Sequence, residues 1–219
     1  MVSTKLVDNN IPDIEAKLLR VGGDMVKIEY LENCLKQLLQ NNVRRFCHVK
    51  LAELYEVRLM LIPAAKNYAL AIETVTSSKE QIAFCIKEIR LLIKAGDYLG
   101  IDRPFKKALT VASSVEKEAI KQEVKQLFYN QAKEYELKQN NRKAVDIYER
   151  IMELSFVKDD ERKQIMQKLG QLNSKLGRIK QAMDYEKMKD KPITRRKNLD
   201  DDSDGVRRVS FEDLGIDWD

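Results

Sequence analysis

The chain is 219 residues long, 43% hydrophobic and 34% charged, which is enough apolar material to bury a sizeable core in one or two domains. Only 8 glycines and 4 prolines interrupt a composition of Lys, Glu, Leu, Ile, Ala and Gln, residues that lose little rotamer freedom in a helix. No stretch approaches the ~18 consecutive apolar residues of a membrane span and the start lacks the apolar run of a secretion signal, so a soluble, cytoplasmic chain with no transmembrane segment is expected.

Residues 1–12 are expected to be a flexible N-terminus. Gly22-Gly23 followed by Asp24 to Leu31 reads as a turn and the second helix of a helix pair. The helical run from Phe46 to Met60 holds the single histidine, His48, next to Cys47. A lone imidazole with no second ligand at helical spacing is read as a packing or surface residue, so no catalysis is assigned to it. From Lys50 to Val75 two helices are expected, joined near Pro63, with Leu51-Ala52 and Tyr55 on the first and Ala64, Tyr68 and Ala71 on the second.

A weaker version follows, with Ile89 and Leu92, the turn residues Gly96 and Asp97, then Ile101, Phe105 and Ala108. The spacing returns clearly at Phe128, Ala132 and Tyr135, then Asn140-Asn141 at a turn, then Ala144, Tyr148 and Ile151. A last version has Leu169-Gly170, the turn glycine Gly177, and Ala182.

These small and aromatic positions resemble the tetratricopeptide repeat across residues 13–189. In that family a small residue on the first helix lets the second approach, and an aromatic fills the space one turn on. The resemblance implies an all-α, right-handed superhelical stack of about five antiparallel helix pairs, a TPR-like α-solenoid. The second-helix anchors Cys34, Ala71, Ala108 and Ile151 lie 37, 37 and 43 residues apart, longer than the family's usual 34. Other helix-pair solenoids, including the soluble NSF attachment proteins, therefore stay open.

The resemblance further implies a concave groove lined by first helices that takes a peptide or helix of a protein partner. The positions just after the four first-helix small residues are Glu53, Arg90, Lys133 and Gln171, the expected groove residues. They do not supply the lysine and asparagine set of the repeats that clamp chaperone C-termini, and the Gly-Asn opening of those repeats is absent.

Past Asp190 the helical pattern stops at Pro192 and a basic cluster, Arg195-Arg196-Lys197, and 190–219 is expected to be a disordered, acidic tail. Eight acids against Arg207 and Arg208 give residues 199–219 a charge of −6, so of the overall +5 the remaining 198 residues carry +11. A basic body admits a nucleic-acid surface or a receiver of acidic peptides.

The tail ends in an aromatic motif that carries Val209, Phe211, Leu214, Ile216 and the only tryptophan, Trp218, which suits a docking peptide in trans or in cis. Within it Arg208-Val209-Ser210-Phe211 resembles the docking motif of proteins that bind the type-one serine/threonine protein phosphatase. Ser210 is also a possible phosphosite, because Arg207-Arg208-Val209-Ser210 resembles a basophilic-kinase site. A phosphate there would oppose docking.

No Gly-rich phosphate loop, nucleophile elbow or zinc motif occurs, and Cys34, Cys47 and Cys85 are far apart in apolar helical contexts, as suits buried thiols. No cofactor and no enzymatic activity are expected. The leading expectation is a scaffold or adaptor for protein partners, ahead of a phosphatase-docking subunit and a nucleic-acid-associated factor.

Overall fold

The computed structural model describes residues 10–189, and among them it contains ten helices and no strand. These are α1 (Ile11–Arg20), α2 (Asp24–Leu35), α3 (Asn41–Val57), α4 (Leu61–Ile72), α5 (Ser78–Ala95), α6 (Asp102–Val111), α7 (Ser114–Leu137), α8 (Asn141–Glu153), α9 (Asp159–Lys175) and α10 (Ile179–Lys189). The all-helical expectation holds, and the links between partners are short enough to make neighbouring helices antiparallel pairs. The chain divides into two compact units between Lys117 and Glu118, a point inside α7 that no glycine or proline marks.

In the first unit, α1 begins under an Asn10 cap whose side chain accepts from the Asp13 amide, with Pro12 in the first turn, where no amide partner is needed. Ile14, Ile28, Leu31, Cys34, Val43, Cys47 and Leu51 then form one buried cluster that joins α1 and α2 to α3. Further along, Ala52, Ala64 and Ala71 are 0% exposed and Tyr68 1%, so the small residues sit where α3 and α4 cross and the ring fills the space beside them. Ile89, Leu92, Ile101, Phe105 and Ala108 continue the core through α5 and α6.

The second unit repeats this arrangement. Phe128, Ala132, Ala144 and Ile151 are fully buried, Tyr148 nearly so, and Leu169, Gly170, Ala182 and Tyr185 close the core between α9 and α10. Tyr55 and Tyr135, expected to fill gaps, are only half-buried; the Tyr55 hydroxyl donates to Glu32 at 2.6 Å. Gly170 marks a close approach, because a Cβ there would stand 3.4 Å from the Ala182 carbonyl oxygen and 3.2 Å from Glu186 Oε1.

Four first helices end in the same way. Leu59, Gly96, Gln139 and Gly177 each adopt a left-handed conformation, with φ of 58°, 80°, 55° and 74°. At each, the next amide reaches back five residues, Met60 to Tyr55 O at 2.8 Å, Asp97 to Leu92 O at 3.0 Å, Asn140 to Tyr135 O at 2.8 Å and Arg178 to Asn173 O at 2.9 Å. This is the Schellman arrangement, which satisfies carbonyls the helix end would otherwise orphan. It also corrects two boundaries. The run expected to reach Met60 stops at Val57, and the first turn lies at Leu59-Met60, with Pro63 inside the opening turn of α4.

Ion pairs then tie each first helix to the next one along. Arg45 of α3 meets Glu80 of α5 at 3.5 Å, and Glu56 of α3 meets Arg90 of α5 at 3.2 Å. In the second unit Lys125 of α7 meets Glu161 of α9 at 2.6 Å and Glu136 of α7 meets Lys168 of α9 at 2.7 Å. In each unit the α3 or α7 partner that comes first along the helix is basic, and the one near the helix end is acidic. The equivalent residues, Arg45 with Lys125 and Glu56 with Glu136, are spaced by one constant offset of 80 positions.

Candidate interaction grooves

Among the described residues each unit has an open groove, and its position follows from which apolar side chains the helices cannot bury. On α1 only Ile14 is fully buried; Leu18 is half covered and Leu19 is 88% exposed. On α3 the face bearing Lys50, Glu53, Leu54 and Val57 turns the same way, and Val57 is 73% exposed. Between them, with Lys27 of α2 and Glu15, lies a groove of about 500 Å³. Its wall is leucine and valine, and its rim alternates in charge, with Lys50 on Glu53 at 3.1 Å.

The second unit's groove, about 350 Å³, runs between α9 and α10. Gly170 and Ala182 make a low floor, Ile179 and Met183 (57% and 54% exposed) stand at its sides, and Gln171, Glu186 and Lys187 add polar edges.

Of the residues expected to line a groove, Glu53 thus lies on the first and Gln171 on the second, in separate units. Arg90 does not line either; its guanidinium donates to both Glu56 oxygens at 3.2 and 3.4 Å. Lys133 is an exposed lysine on α7 and lines neither. The tail residues Arg208, Val209, Ser210, Phe211, Leu214, Ile216 and Trp218 lie outside the described residues. The apolar wall residues were missed in the sequence, although Leu18-Leu19, two adjacent leucines on a helix that has room to bury one, is the signal that could have found them.

Two titratable groups among the described residues stand out by their surroundings, His48 and Glu88. His48 Nδ1 is 2.9 Å from Asn67 Oδ1, and Asn67 is oriented by its own bond to Pro63 O at 3.0 Å, so the imidazole donates through Nδ1. Burial lowers its pKa and favours the neutral ring. Glu88 is buried on α5, and loss of water around it raises its pKa to about 7 against the opposing pull of Arg103 and Lys107. Among the described residues no group of three or more His, Cys, Asp or Glu side chains could hold a metal ion, and no helix is long and apolar enough to cross a membrane.

Comparison with known proteins adds little. No family model matches the chain and no curated protein matches it. Among solved structures the chain is similar to BtubC (BKLC) from P. vanneervenii, at 13% identity over 85% of this chain and 84% of that one, with a TM-score of 0.36. It is also similar to a MamA RS-1 ArsTM double mutant, at 13% identity over 82% of this chain and 94% of that one, with a TM-score of 0.37. Likenesses this distant say nothing about what this chain binds.

Proposed function

We propose that the chain is a scaffold or adaptor whose helix pairs hold a short amphipathic segment of a partner protein in the α1/α3 groove, without chemistry of its own. One observation carries this reading: Leu18, Leu19, Leu54 and Val57 form an unfilled apolar trough bounded by Glu15, Lys27, Lys50 and Glu53. Exposed apolar area rimmed by charge is what a peptide with two or three apolar anchors requires. The rim carries both signs, so the fitting segment has mixed flanking charge and draws its affinity from its anchors rather than from a single acidic or basic run. The tetratricopeptide resemblance in the sequence supports the same assignment.

A random-peptide display library panned against the full chain tests it. The expected result is an enriched consensus of two large apolar residues at i, i+3 or i, i+4, whose binding falls at least tenfold in the double variant Leu19→Glu, Val57→Glu while the melting temperature is unchanged, since both side chains already face water. No enrichment, or binding indifferent to that variant, overturns the proposal.

The tail supplies a second docking element in this reading, on sequence grounds alone: Phe211, Leu214, Ile216 and Trp218 in an acidic segment, tethered to a basic body. A tether of roughly 20 residues holds such a peptide at about millimolar effective concentration, so weak affinity suffices for docking in cis. Trp218, the only tryptophan, reports it directly. Emission from the full chain should be blue-shifted and protected from acrylamide at low salt and should move toward the free-peptide spectrum as salt rises. Emission and quenching equal to those of the isolated 199–219 peptide would exclude docking in cis.

A further inference from the structure

Three buried thiols that the sequence sets far apart are not equally isolated in the fold. Cys34, in the last turn of α2, and Cys47, one turn and a half into α3, are both 0% exposed and belong to the same core cluster, while Cys85 lies on α5 outside it. Cys34 and Cys47 come from neighbouring helices that pack on one another, and the Cys34 thiol acts on Cys47 across that packing. Two fully buried cysteines in one core cluster, on neighbouring packed helices, meet the first requirement for a disulfide, that the two side chains share one site. All three are free thiols in this structure.

We propose that Cys34 and Cys47 are an oxidisable pair, and that a disulfide between them staples α2 to α3. The oxidant is a low-molecular-weight disulfide such as glutathione disulfide. One protein thiolate attacks it and releases one glutathione thiol; the second protein thiolate attacks the resulting mixed disulfide and releases the other. Two protein S–H bonds are lost and one S–S bond forms, the protein gives up two electrons, and glutathione disulfide is reduced to two thiols. The contact with Cys34, then burial, pushes the Cys47 pKa far up, so the resting thiol is protonated and reacts only when α2 opens from α3. The pair is therefore slow to oxidise and slow to reduce, a latch rather than a fast sensor. Its position gives the latch a consequence: Leu18 and Leu54, which pack against this cluster, also line the α1/α3 groove. The bond would fix that wall whether or not the groove takes a peptide.

The test refolds the reduced full chain through buffers stepped from reduced to oxidised glutathione, so that access to buried thiols does not limit the result. At the oxidising end the expected product has lost two hydrogens, retains Cys85 as its one maleimide-reactive thiol, and yields a single linked tryptic pair, Ile28–Lys36 with Phe46–Lys50. Because the bond closes a short loop in the unfolded chain, the melting temperature should rise by roughly 5 °C or more over the reduced form. A Cys85→Ala chain should give the same linked tryptic pair and the same rise in melting temperature, with no maleimide-reactive thiol left at the oxidising end. Three free thiols at the oxidising end, bonds to Cys85, persistent glutathione adducts, or a bonded product that melts lower than the reduced one would each overturn the proposal.

Discussion

At the scale of single residues, the alanines at the helix crossings carry the fold. Ala52, Ala64, Ala132 and Ala144 are all 0% exposed, so any larger side chain there must push two helices apart. Ala64→Phe or Ala132→Leu should cost about 1–3 kcal/mol, read as a lowered midpoint in urea unfolding; an unchanged midpoint would mean the crossing lies elsewhere. These positions were legible in the sequence because a small residue followed by an aromatic one turn later is a packing pattern that few other arrangements require. Glu88 was not legible, since a glutamate on a helix is ordinarily solvated. Its carboxyl takes up a proton in the folded state that the unfolded chain does not hold between the ordinary carboxylate range and about 7. Folding is thus favoured by this group at low pH and loses that support as pH rises through about 7. Thermal melts should show Glu88→Gln stabilising the chain at pH 8, by up to about 3 kcal/mol, and little changed at pH 4.5.

At the scale of elements, the turns after first helices separate what the sequence announces from what it conceals. Gly96 and Gly177 announce a left-handed turn, because glycine adopts it without a Cβ clash. Leu59 and Gln139 adopt the same geometry with side chains that disfavour it, and only the backbone shows them to be equivalent. Each carries roughly 1 kcal/mol of conformational cost. Leu59 is 81% exposed, so its removal gives up almost no burial. Leu59→Gly and Gln139→Gly should therefore raise stability, whereas Gly96→Ala and Gly177→Ala should lower it; a series of urea midpoints in the opposite order would refute the turn assignment. The ion-pair clamps belong to this scale too. Lys125 is the most buried of their charges, with its side chain 8% exposed. Lys125→Met with Glu161→Gln in a double-mutant cycle should give a coupling of about 1 kcal/mol or more, larger than the cycle for the more exposed Arg45 and Glu80. Residues 32 or more apart give no pairwise signal in one sequence, and this is why the clamps could not be foreseen.

At the scale of the whole molecule, the division at Lys117/Glu118 has no counterpart in the composition, because α7 runs through it as 24 unbroken helical residues. Each unit has its own core, so a lesion should act locally. Hydrogen exchange on Ala64→Phe should show lost protection first in α3, α4 and α5, with α8 and α9 following only at higher denaturant; simultaneous loss everywhere would show that the two units unfold as one. The grooves were the least legible feature of all. Their walls depend on which leucines the neighbouring helices leave uncovered, and that is a property of packing rather than of any motif.

The paired clamps and turns carry one more consequence, about which surfaces occur once. Arg45 with Lys125, Glu56 with Glu136 and Leu59 with Gln139 are matched at an offset of 80 residues, and Gly96 with Gly177 at 81. The runs α3 to α6 and α7 to α10 are thus equivalent in their clamps and turns, two helix pairs against two. The α1/α2 pair lies outside that correspondence. Interaction surfaces built partly from α1, such as the α1/α3 groove, have no second copy to share their task.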